Sequence, residues 1–102
     1  MRRFKMLTSA LLVINAGLAA AQGADHHPGR SLAASCANCH GTNGVSQGAV
    51  ASLAGAAKAD LVAKMQEFKS GKRPGTIMPQ LAKGYSDEQI ETVAAWFAAQ
   101  KP

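Results

Sequence analysis

The chain has 102 residues, 47% hydrophobic and 5% aromatic, with a formal charge of +5. That length holds one domain at most, and two cysteines and three histidines leave few side chains for metal or redox chemistry. Three cations, Arg2, Arg3 and Lys5, stand at the very start; from Gln22 onward eight Lys/Arg against six Asp/Glu leave +2, too little for a nucleic-acid binder.

Behind the basic start, "MLTSALLVINAGLAAA" runs uncharged from Met6 to Ala21, and Ala19-Ala20-Ala21 before Gln22 gives the small-residue cleavage pattern of an export signal. A membrane anchor is the competing reading. The uncharged run is shorter than the roughly 20 residues needed to span a bilayer, and no cysteine follows the cut to take a lipid. Residues 1–21 are therefore expected to be a signal peptide that is removed, leaving residues 22–102 as one periplasmic domain without a membrane span. Those 81 residues, 102 less 21, are rich in alanine, near the size at which a core alone gives only a few kcal/mol.

Gln22 to His27 reads as a loose, solvated start. Pro28 suits the first turn of a short helix that carries "GRSLAAS" into Cys36. Gly41 to Gly55 reads as a glycine-punctuated loop wrapping something. "KADLVAKMQEFKSG" follows as a helix, with Leu61, Met65 and Phe68 on one face and Gly71 in the stop position. Lys72 to Gly84, with Pro74, Gly75, Pro79 and Gly84, reads as a second loop. In the last helix Ser86 and Gln89 form a capping box, Tyr85 and Ile90 a hydrophobic staple, and Ile90, Val93, Ala94 and Phe97 one apolar face. No stretch alternates as a strand, so the expected class is all-α, with three to four short helices.

"CANCH", Cys36 to His40, carries the chemistry. A disulfide across two residues closes too small a loop to restrict the unfolded chain. A thioredoxin-like dithiol needs a βαβ setting that this sequence does not offer. A zinc site would have three ligands at too tight a spacing and would need His26 or His27 to complete it. Covalent haem uses all three residues: C-x-x-C-H is the attachment signature of c-type haem, with Cys36 and Cys39 forming thioethers to the vinyl groups and His40 turning its imidazole to the iron. The macrocycle also supplies the missing core, burying apolar surface at about 25 cal/mol per Å².

For the iron's other face the expected ligand is Met78, in the proline-flanked "GTIMPQ" between two helices. Met65 lies on a helix face where packing is the expected role, and His26 and His27 stand too close before the attachment site. His/Met ligation raises the potential and leaves no substrate position, so the iron is built to exchange one electron. A haem enzyme or gas sensor would require Met78 not to be a ligand. Tyr85, Trp96 and Phe97 are expected in the core, and Lys69, Lys72 and Arg73 are either a docking patch for an acidic partner or a solvated loop.

On these residues the chain resembles the class I cytochromes c over Gln22 to Pro102. Within "FKSGKRPGTIMPQLAKGYSDEQIETVAAWFAAQ", Phe68 to Gln100, the order K-S-G, T-I-M, A-K-G-Y is similar to the single-haem cytochrome subunit of flavocytochrome c sulfide dehydrogenase. The resemblance implies a small class I cytochrome c fold around one haem c, with Cys36, Cys39 and His40 at the attachment site and Met78 as axial ligand. It implies an exported, FAD-containing flavoprotein partner that oxidises sulfide and passes electrons singly to the haem. The alternative is a free-standing diffusible cytochrome c that carries electrons between other periplasmic redox proteins.

Overall fold

The computed structural model describes residues 27–102; the signal-peptide reading and His26 lie outside the described residues. Among the described residues the first helix starts at Pro28, where the missing N–H costs nothing, and helical structure runs through α1 (Pro28–Ala33), a 3₁₀ turn (Ala34–Cys36) and α2 (Ala37–His40). A second 3₁₀ turn, Thr42–Gly44, opens the predicted wrapping loop. Then come α3 (Lys58–Lys69), α4 (Met78–Ala82) and α5 (Asp87–Ala98). Counting Pro28–His40 as one run gives four helical units, and the described residues contain no strand, in agreement with the all-α class.

The last helix forms as its sequence dictates. Gln89 N–H donates to the Ser86 hydroxyl at 3.1 Å, and Ser86 N–H donates to the Gln89 side-chain oxygen at 2.9 Å, closing the capping box. Ile90, Val93, Ala94 and Phe97 are all buried, and Tyr85 packs on the core they help build. α5 is the organising element, lying against both α1 and α3, while α3 also lies against α4. The core joins Ala33 of α1, Leu61 of α3 and Val93, Ala94 and Phe97 of α5. On α3 only Leu61 is fully buried; Met65 and Phe68 are half-buried.

Where α1 meets α5 the backbones approach so closely that a Cβ on Gly29 would lie 2.6 Å from the Thr92 carbonyl oxygen and 2.7 Å from the Trp96 Cβ. Gly29→Ala should therefore destabilise the domain by about 1–3 kcal/mol through overpacking. Thermal unfolding monitored by circular dichroism should show the midpoint fall by at least about 4 °C; an unchanged midpoint would contradict the close crossing.

Two expectations are corrected. His27 is not a solvated start: its Nδ1 accepts from Gly29 N–H at 3.0 Å, capping α1, and its ring lies 5.3 Å from that of Trp96, tilted by 57°. The stretch from Lys72 to Gly84 is not all loop, since Met78–Ala82 is helical. Pro79 falls in the first turn, where no intrahelical donor is lost, and Ile77 C=O accepts from both Gln80 and Leu81 N–H at 3.0 Å.

A polar cluster joins α3 to the start of α5. The Gln66 side-chain amide donates to Asp87 Oδ1 at 2.9 Å, and Lys69 Nζ donates to the same oxygen at 3.1 Å and to Tyr85 C=O at 2.7 Å. The Gln66 bond first, and Lys69 second, hold the Asp87 carboxyl below its ordinary range. The folded chain therefore takes up this proton at lower pH than the unfolded chain. Stability that is present above the ordinary aspartate range is lost as pH falls below about pH 4. Acid unfolding curves should show Asp87→Asn flattening that loss; an unchanged slope would contradict the assignment.

Candidate functional site

The C-x-x-C-H segment sits on the continuous helical run of the first half. Cys36 ends its 3₁₀ turn, and Cys39 and His40 lie on α2, so one helical turn presents all three. Both thiols are free, Cys36 half-buried and Cys39 exposed. Burial pushes the Cys36 thiol above its ordinary value; a hydrogen bond to Ser35 opposes that shift, and Cys39 adds to it. Gly41 ends α2 at φ 85° and ψ 162°, a region open almost only to glycine, and turns the chain away directly after His40.

The imidazole of His40 is fixed by the loop that follows. Its Nδ1 lies 2.6 Å from the Ala51 carbonyl oxygen. A carbonyl can only accept, so Nδ1 carries the proton and the Nε2 lone pair is left for a metal. The acceptor is positioned by its own loop, where Leu53 and Ala54 N–H donate to Gly44 C=O at 2.8 and 3.1 Å and Gly55 N–H donates to Phe97 C=O at 2.9 Å. A backbone acceptor of this kind has no side-chain signature, and sequence reasoning did not find it.

Met78 is the first residue of α4, half-buried, on an element separate from the attachment run. The segment leading to it is tied to α3: Arg73 Nε donates to Glu67 Oε2 at 2.7 Å, Arg73 N–H donates to Glu67 C=O at 3.1 Å, and the guanidinium lies 5.8 Å from the Phe68 ring centre. Among the described residues three large apolar side chains remain exposed, Val50 at 43%, Ile77 at 53% and Leu81 at 48%. The first adjoins Ala51, the His40 acceptor; the other two flank Met78 along the chain. Free thiols, a histidine with Nε2 available and apolar surface beside both candidate ligands together fit an iron macrocycle. Among the described residues no group of three or more His, Cys, Asp or Glu gathers as a protein-only metal site. A groove of about 220 Å³ near the α1–α5 crossing, lined among others by Arg30, Trp96 and Phe97, contains none of the four expected haem residues.

The family described as cytochrome c oxidase, cbb3-type, subunit III matches residues 23–97. The chain belongs to the cytochrome c family. It is 39% identical over 69 residues to the cytochrome subunit of sulfide dehydrogenase of Chlorobaculum tepidum, a match covering 68% of this chain and 63% of that one. It is also 39% identical over 99 residues to cytochrome c4 of Pseudomonas aeruginosa, covering 95% of this chain and 49% of that one. Cytochrome c-553 of Nitratidesulfovibrio vulgaris is 30% identical over 103 residues, with 96% and 98% covered. The chain thus spans 63% and 49% of the first two relatives. As a member of this family it is an electron-transfer protein carrying covalently bound haem c, and Cys36, Cys39 and His40 form its C-x-x-C-H motif. No helix among the described residues is long and apolar enough to cross a membrane.

Proposed function

We propose that this cytochrome transfers single electrons in the periplasm, with Cys36 and Cys39 bonded to haem through thioethers and His40 and Met78 ligating its iron. Residues 1–21 then direct export, and residues 22–102 form the working domain. The observation that carries the reading is the His40–Ala51 hydrogen bond, which holds the ring in the tautomer able to coordinate. When bound, haem supplies an iron that cycles between the ferrous and ferric states. The chain's own residues fix its place: the helical run from Cys36 to His40 presents two thiols and an imidazole, Ala51 orients that imidazole, and the anchored segment from Arg73 to Pro79 holds a thioether.

We infer further that the electron donor is a sulfide-oxidising flavoprotein to which this chain is the cytochrome subunit. The relative from Chlorobaculum tepidum supports that reading, under which the interface should be larger and more apolar than that of a transient carrier. Two of the cations considered for docking an acidic partner are engaged within the chain, Lys69 with Asp87 and Arg73 with Glu67. The second reading, a diffusible carrier, draws on the equal identity to cytochrome c4 and the end-to-end match to cytochrome c-553.

Gel filtration of the native periplasmic extract at high salt distinguishes the two. Haem eluting with flavin at the size of a heterodimer, and reduced by sulfide, is the expected result. Haem only at the size of a free small cytochrome, and not reduced by sulfide when the flavoprotein is added, would leave the diffusible carrier.

A further inference from the structure

The two candidate iron ligands stand on segments that the chain connects only at a distance, His40 before a long loop and Met78 after α3. Their separation must be held by contacts between the segments. Among the described residues, apart from the Leu61 N–H to Ala57 C=O bond at 3.1 Å where α3 starts, one hydrogen bond joins residues 27–57 directly to residues 58–86: the hydroxyls of Ser35 and Tyr85 meet at 3.3 Å. Other bonds that tie these halves together run through α5, as Gly55 N–H to Phe97 C=O and Lys58 to Glu91 do.

Both ends of this bond are placed next to the site. Ser35 immediately precedes Cys36. Tyr85 N–H donates to Ala82 C=O at 3.2 Å, so the tyrosine is fastened to the last residue of α4, the helix that Met78 begins. Its own carbonyl accepts from Lys69 Nζ at 2.7 Å, which fixes its backbone to the end of α3. Its ring packs on the core cluster, leaving the hydroxyl as the part that reaches across.

We propose that Ser35 and Tyr85 form a clasp that sets the distance between the haem-attachment segment and the methionine helix, which makes Tyr85 a positioning residue for the sulfur–iron bond. The inference rests on the reading of Met78 as ligand. Opening the clasp leaves the thioether free to swing away, so an external ligand competes with it more easily. The ring, the core and the attachment motif stay as they are.

The test is an imidazole titration of the ferric, haem-loaded full chain, followed by the weak absorption at the red end of the visible spectrum that reports a sulfur–iron bond. Tyr85→Phe and Ser35→Ala should each lower the imidazole concentration at half-loss by about two- to tenfold, the range of one ordinary hydrogen bond. The double variant should shift no further than either single one, because both remove the same bond. Thr92→Ala, which also deletes an exposed hydroxyl bond, here to Glu88 C=O at 3.0 Å, should leave the titration unchanged. Unshifted single variants, additive shifts in the double variant, or an equal shift in Thr92→Ala would each overturn the clasp. Met78→Ala separates the two readings: if it retains the red absorption, the ligand assignment falls and the clasp with it. Loss of that absorption alongside a silent Tyr85→Phe overturns the clasp alone.

Discussion

Met78→Ala is expected to abolish the red-end absorption of the ferric protein and to lower its reduction potential, because a soft thioether favours ferrous iron. Haem should stay attached, since the thioethers and His40 belong to a separate helical run. The same change at Met65, half-buried on α3, should leave the absorption in place. Its stability cost should stay below the roughly 2–5 kcal/mol of a fully buried methionine. Visible spectra and redox titrations of both variants check this. Were the two outcomes exchanged, Met65 would be the ligand.

Gly41→Ala is the substitution expected to damage folding most. At φ 85° an added Cβ would lie 1.8 Å from the Val45 carbonyl oxygen, a contact that only backbone movement relieves. A strained dihedral of this kind costs about 1–3 kcal/mol and overpacking a further 1–3 kcal/mol, so about 2–6 kcal/mol in total. For a small domain that is a large share of its stability. The turn also positions the loop whose Ala51 holds His40, so the yield of haem-loaded protein should fall with it. Expression with haem-attachment machinery, followed by thermal unfolding of whatever is recovered, measures both. Wild-type yield and midpoint would show that the turn is not required.

Legibility followed the range of the interactions. α5 was readable because its capping box and apolar face lie within a few residues of one another. The attachment motif was readable for the same reason, its three side chains falling within one helical turn. α4 was not: five residues give too little periodicity, and the same prolines and glycines that punctuate loops also fit the first turn of a helix. His27 looked solvated because its partner Trp96 is on α5, at the opposite end of the described chain. Ala51 was hidden for a different reason, since it acts through its carbonyl, which every residue has. Lys69 and Arg73 looked like surface charge, and their partners Asp87 and Glu67 could be identified only after α3 and its neighbours were placed.

The central claim is that one haem is bonded to Cys36 and Cys39, and the mass of a single peptide tests it most directly. Trypsin should release Ser31 to Lys58, a stretch with no internal Lys or Arg that contains both cysteines and His40. From protein produced with haem-attachment machinery, washed with acidified solvent to strip any unbonded haem, that peptide should carry the added mass of one haem with no free thiol left to alkylate. The same peptide at its bare mass, taking up two alkyl groups, would contradict the claim.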